Sequence, residues 1–119
     1  MGYYVSGNNI SITRGDSAII ALEITDAAGD PYIIKDNDRL TMTVKKYIND
    51  ELPVIVKTLD DGIVRGDDAV EIHIDPQDTS GLRYGNYVYD VELVMADGYT
   101  DTVIPPSQLT ITGEVTTHD

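Results

Sequence analysis

The sequence predicts an all-β domain, an antiparallel sandwich or barrel of seven to eight short strands. Three observations carry this prediction. Apolar and polar residues alternate with period two along most of the chain, and no stretch holds a 3.6 period for ten residues. Turn chemistry recurs between the alternating runs.

The elements follow in order. In Ser17–Thr25, Ala18, Ile20, Leu22 and Ile24 share one face, while Ile19, Ala21, Glu23 and Thr25 share the other. Leu40, Met42 and Val44 alternate with Thr41, Thr43 and Lys45. Val70, Ile72 and Ile74 alternate with Glu71, His73 and Asp75. Tyr87, Tyr89, Val91, Leu93 and Met95 alternate with Val88, Asp90, Glu92 and Val94, and Leu109 and Ile111 flank Thr110. Such strands present one face to a core and the other to solvent. The expected core is Ile20, Leu22, Ile24, Leu40, Met42, Val44, Val70, Ile72, Ile74, Tyr87, Tyr89, Val91, Leu93 and Ile111. Asp26-Ala-Ala-Gly29-Asp30, Asp60-Asp61-Gly62 and Ala96-Asp97-Gly98 are turn signals, with glycine supplying positive φ. A single helical turn is expected near 76–81, with Asp75 as N-cap, Pro76 in the first turn and Gly81 closing it. Pro105-Pro106 cannot donate to a ladder, so the last strand is interrupted there or lies at an edge.

A chain of 119 residues allows one domain spanning 1–119, with frayed ends expected at about 1–8 and 114–119. With 41% hydrophobic and 24% charged residues, the composition is that of a folded chain. The net charge of −13 argues against nucleic acid and against an anionic membrane surface, since both need a basic patch. No apolar run is long enough to span a bilayer, and no secretory signal is visible. Met1-Gly2 with Ser6 fits a loose myristoylation pattern, and Asn9-Ile10-Ser11 is a glycosylation sequon that matters only in a secretory pathway. There is no cysteine, hence no disulfide, thiolate nucleophile or zinc-thiolate site.

Two resemblances add to this reading. Asp78 to Val91 carries a short turn followed by Tyr87 opening the next strand, with Tyr89 two residues on. This resembles the tyrosine corner of immunoglobulin-like domains, in which the hydroxyl bonds upstream backbone. Tyr89 stands where an antibody domain has its second cysteine, and the chain has no Trp. The fold class expected is therefore all-β, an antiparallel immunoglobulin-like β-sandwich of seven to eight strands. Over about 100 residues, Ile12-Thr13-Arg14-Gly15-Asp16, the Asp26–Asp30 turn, Leu40–Lys46, Val70–Asp78 and Gly85–Val91 follow in an order similar to such domains in tailed-phage and prophage structural proteins. Among these, the chain resembles the N-terminal domain of the phage baseplate upper protein family. The resemblance implies a virion tail or baseplate role, assembly in the bacterial host cytoplasm and contacts with other virion or tail proteins or by self-association. It supplies no catalytic residues.

Candidate chemistry is sparse, and no enzyme is expected. His73 is the one histidine in the body of the chain, on a strand face opposite Ile72 and Ile74, and His118 is next to the C-terminal residue. No nucleophile elbow, zinc-protease motif or phosphate-binding loop occurs. Pairs of carboxylates carry no weight among 21 acidic residues. Calcium is the one cofactor to weigh, because Asp36-Asn37-Asp38, Asp60-Asp61 and Asp67-Asp68 cluster oxygens in loops, although none fits an EF-hand. If a weak calcium site exists, its ligands are Asp60, Asp61, Asp67 and Asp68, which one loop brings together; the plainer reading is solvated turn residues. Arg-Gly-Asp occurs at 14–16 and 65–67, as an adhesion tripeptide or, more simply, as a tight turn between strands. Tyr3, Tyr4, Tyr32, Tyr47, Tyr84 and Tyr99 offer the alternative function, a carbohydrate- or surface-ligand-binding module, possibly calcium-assisted; tyrosine equally serves core and interface. Ile19, Ala21, Val88 and Val94 are apolar on a face expected to be outward, which suggests a sheet face covered by another subunit or extra chain; the plainer reading is ordinary scatter of surface hydrophobes.

Overall fold

The computed structural model describes residues 3–66 and 69–113. It is all-β, with 56% strand and 5% helix, in one nine-stranded mixed sheet nearly closed into a barrel. The strands are β1 (Tyr3–Ser6), β2 (Asn9–Thr13), β3 (Ala18–Leu22), β4 (Arg39–Lys45), β5 (Ile55–Leu59), β6 (Gly62–Arg65), β7 (Val70–Ile74), β8 (Gly85–Val94) and β9 (Thr100–Thr112). A helical turn, α1 (Pro76–Ser80), joins β7 to β8. The order across the sheet is β1-β2-β9-β8-β4-β5-β6-β7-β3.

Alternation does what the sequence predicts of it. Leu40, Met42 and Val44 of β4 face inward, as do Val70, Ile72 and Ile74 of β7 and Tyr87, Tyr89, Val91 and Leu93 of β8. They form one core with Ile10 and Ile12 of β2, Ile55, Ile63, Leu109 and Ile111. Ile20 and Leu22 were expected there too but are only half-buried, because β3 is the last strand of the sheet and has no neighbour on its far side. The remaining sheet edge is β1. The Tyr3 hydroxyl donates to the Ile19 carbonyl at 2.8 Å, so one side-chain bond spans the seam where the ladder is missing.

The architecture differs from an antiparallel set of seven to eight strands in two respects. Nine strands fall among the described residues, and the pairings β2–β9 and β5–β6 are parallel. Residues 3–6, expected as part of a frayed end, form β1 and pair with β2 through the Gly7–Asn8 turn. Asp60-Asp61-Gly62 is a turn as predicted, but not a hairpin. Asp60 (φ 68°) and Gly62 (φ 101°) both enter the left-handed region, and the chain steps sideways so that Thr58 lies beside Gly62 in parallel register. Pro105 and Pro106 lie in the half of β9 that pairs only with β8, opposite register shifts at Tyr89–Val91 and Val91–Glu92. The missing donors thus fall at bulges beside an open edge, as the sequence suggests.

The predicted helical turn is present, with Gly81 as its C-cap. Asp78 fixes it twice. Its Oδ2 accepts from the Asp75 amide at 2.7 Å and pairs with Lys57 Nζ at 2.6 Å. Lys57 sits on the inward side of β5 with its side chain 9% exposed, a position alternation assigns to an apolar residue. Its methylenes lie over Gly62, where a Cβ would stand 2.3 Å from Lys57 Cδ. Alternation plus this pair therefore explains how α1 is held to the open end of the β5–β6 step. The other fixed point is Thr79, fully buried, whose Oγ1 accepts from the Gly15 amide at 2.8 Å. Asp78→Ala strands a buried ammonium and is expected to lower stability by about 3 kcal/mol in urea unfolding. Gly62→Ala is expected to cost about 1–3 kcal/mol in the same measurement, since it meets both the φ and the Lys57 side chain.

Candidate functional site

The register brings the loops 23–38, 60–61 and 95–99 to one end of the barrel, because Arg39 pairs with Val94, Thr41 with Thr58 and Leu22 with Val70. The loop after β3 is built on two devices. Asp26 Oδ1 accepts from the Ala28 and Asp30 amides at 2.9 and 3.0 Å, and Tyr32 N donates to Ile24 O at 2.7 Å. The β8–β9 turn closes through Met95 N to Tyr99 O and Gly98 N to Met95 O, both 2.8 Å. Between these turns lies a cleft of about 370 Å3. Ile24, Leu93 and Met95 line its interior with Tyr32, and Tyr99, Asp26 and Asp101 stand at its exposed margin.

Next to the cleft is a polar cluster that sequence reasoning placed only as acidic loop residues. Asp38 is 6% exposed, and it accepts from the Tyr32 hydroxyl at 2.6 Å and the Lys35 amide at 2.9 Å. Burial pushes the Asp38 carboxyl up, but the Tyr32 hydroxyl, the Lys35 and Ala96 amides and the Lys35 charge together hold it below the usual carboxylate range. The bond to Asp38, with burial and the Asp38 and Asp97 charges, pushes Tyr32 up to about 12. A buried carboxylate six residues from a tyrosine has no local signature. Only the fold of the loop makes them partners.

The predicted site residues are placed as follows. Asp60 and Asp61 are exposed on the step between β5 and β6, and Asp67 and Asp68 lie outside the described residues. Asp60 shares a groove with Asp36, Asp38 and Arg65, and Arg65 Nη1 pairs with Asp36 at 3.0 Å. Among the described residues no group of three or more His, Asp or Glu side chains is gathered as metal ligands. His73 faces outward beside Glu71, Nε2 to Oε1 3.3 Å, in register with Ile19.

Neither described part of the Arg-Gly-Asp tripeptides is a projecting loop tip. Arg14 stacks on Tyr84, 4.3 Å to the ring centroid, and donates to Leu82 O at 3.2 Å, while Gly15 (φ 85°) is buried against Thr79. Arg65 Nη2 donates to Ile34 O at 2.8 Å, and Asp67 lies outside the described residues. The six tyrosines of the supposed platform are dispersed. Tyr3 bridges the seam and Tyr84 carries Arg14, Tyr4 and Tyr47 are exposed elsewhere, and only Tyr32 and Tyr99 share a cleft.

Apolar side chains are exposed well beyond the predicted outward set. Ile19 and Ala21 are exposed as expected, and Val88 and Val94 are half-buried. Larger contributions come from the β4–β5 loop, where Tyr47, Ile48 and Leu52 are 65%, 60% and 80% exposed, and from Val56 and Val64 on the outer face. Ile48, Val88 and Pro106 together line a shallow groove along the outside of β8.

Comparison with known proteins returns no matching family model and no matching curated sequence.

The Tyr32–Asp38 bond has a pH signature with two limbs. Asp38 titrates lower folded than unfolded, so its contribution is present above the ordinary carboxylate range and lost as pH falls through the folded value. Tyr32 titrates higher folded than unfolded, so its contribution is full below about 10 and lost as pH rises toward about 12. Tyr32→Phe leaves the carboxylate buried with one donor fewer. Urea unfolding is expected to show a loss of about 1–3 kcal/mol at neutral pH, with a smaller loss at pH 3.

Proposed function

We propose that this chain is a non-enzymatic structural or adaptor domain acting through protein–protein contacts, an immunoglobulin-like sandwich of a tailed-phage or prophage particle. The observation that carries the contact role is the exposed apolar set on the β4–β5 loop and the adjoining outer face of β5, Tyr47, Ile48, Leu52 and Val56. Large apolar side chains grouped on one loop and the adjoining face are what an interface buries. The immunoglobulin-like reading is supported by the Tyr87 hydroxyl, which donates to the Arg83 carbonyl four residues upstream at 2.8 Å, the bond of a tyrosine corner. It is supported too by the helical turn between β7 and β8 at that corner. The phage assignment, with location in the virion and assembly in the host cytoplasm, rests on the order of motifs from Ile12 to Val91.

In this reading the chemistry of the domain is burial and charge, with no catalytic group and no required cofactor. Calcium at Asp60, Asp61, Asp67 and Asp68 would be auxiliary. Neither nucleic acid nor membrane is a partner, since a surface of net charge −13 repels both phosphate backbones and anionic lipid. A second reading, a carbohydrate- or surface-ligand-binding module, is favoured by one observation, that Tyr32 and Tyr99 line a single cleft.

Light scattering across a concentration series, with calcium and then with chelator, tests the contact role. A closed oligomer such as a trimer or hexamer is expected, with the same mass in both conditions. Ile48→Glu with Leu52→Glu is expected to weaken that association at least about tenfold while leaving the unfolding midpoint nearly unchanged, because both side chains are already in water. A strict monomer that also binds no tail protein would overturn the proposal.

A further inference from the structure

The end of the barrel that holds the Tyr32–Tyr99 cleft is also its most one-sided in charge. Residues 23–38 carry five acidic side chains, 60–61 two and 96–101 two, against three cations at that end, Lys35, Arg39 and Arg65, of which Arg65 is paired with Asp36. The opposite end is closer to balance, with Arg14, Lys46 and Arg83 in its loops and Lys45 at the end of β4 against Asp16, Asp50, Glu51, Asp75 and Asp78. A small apolar cleft with aromatic sides thus opens into a strongly negative field.

Its parts are preformed. The Asp26 turn and the Met95–Tyr99 turn are each closed by backbone bonds, and the Tyr32 hydroxyl is committed to Asp38. Tyr99, 61% exposed, offers a free ring. Asp26 spends one oxygen on its own loop and Asp97 Oδ1 accepts from the Tyr99 amide, whereas the Asp101 side chain has no hydrogen bond or ion pair among the described residues. Lys35 Nζ lies 5.7 Å from the centroid of the Tyr32 ring, so a cation already sits against one of the two aromatic sides.

A second copy of the chain is a poor occupant, since it brings net charge −13 to a negative end. A neutral sugar uses the rings and leaves the field unused. A guanidinium uses both, stacking on tyrosine while its fork of donors meets a carboxylate. We propose that this cleft docks an arginine- or lysine-bearing segment of a protein partner. The proposal rests on the adaptor reading for the class of partner, but it concerns a surface separate from the β4–β5 loop.

The test is amide-shift NMR on the full chain with acetyl-Gly-Arg-Gly-Arg-Gly-amide as probe, and with the same peptide carrying citrulline. Shifts are expected to concentrate at Asp26, Tyr32, Met95, Tyr99 and Asp101, with the arginine peptide bound at least about tenfold tighter than its citrulline twin. Tyr99→Ala and Asp101→Asn, both exposed, are each expected to weaken it several-fold with the rest of the spectrum unchanged, and about 0.5 M salt to weaken it further. Equal binding of the citrulline peptide, shifts spread over all carboxylates, cleft signals that move with protein concentration alone, or a response to a neutral oligosaccharide instead would each overturn it. The two failures are separable. Loss of self-association in the Ile48 and Leu52 variant with peptide binding intact speaks to the outer face alone, and a silent cleft in a chain that still assembles overturns only the docking proposal.

Discussion

A sheet that is apolar on one side must curl until that side faces itself, and every other feature of this chain follows from that requirement. The nine strands of the described residues wrap one core, and the wrap stops one step short of closure between β1 and β3. The cost of the gap is visible in Ile20 and Leu22, which face inward yet stay half-exposed. The Tyr3 bond to Ile19 holds the two edges in place without completing a ladder, which leaves no long flat edge for another strand.

In a chain with no Cys, Trp or Phe, tyrosine supplies both bulk and fastening. An inward ring ends in a hydroxyl that has to find an acceptor at the margin of the core. Tyr87 finds Arg83 O and Tyr89 finds Asn8 O, each tying a loop to a strand, and Tyr32 finds Asp38, closing the 23–38 loop on itself. Burial raises the Tyr89 hydroxyl above its ordinary range, which keeps it a donor. The buried Lys57–Asp78 pair plays the same part for α1. These are side-chain joints between elements that backbone ladders do not connect.

The surface divides accordingly. Loops between strands collect at the two ends, and the acidic ones fall together at the Tyr32–Tyr99 end while the exposed apolar β4–β5 loop lies at the other, past Lys45. That polarity arises from which loops the topology groups, not from any one segment.

Period-two alternation determined the all-β class and the inward faces of β4, β7 and β8, and turn and cap residues determined the turns at Asp26–Asp30 and Ala96–Gly98 and the helical turn at Pro76, because each depends on residues within a few positions of one another. Strand count and direction were not legible in that way. β1, β2, β5 and β6 are short, and the parallel pairings of β2 with β9 and β5 with β6 join segments whose partnership is written nowhere locally. The inward Lys57 broke the alternation that would have marked β5, and its reason, Asp78, is on another element. The candidate site shows the same division. Acidic loops and tyrosines could be counted in the sequence, but that Tyr32 meets Asp38 and shares a cleft with Tyr99 was decided only by tertiary structure, because long-range contacts are selected by the closing of the sheet as a whole.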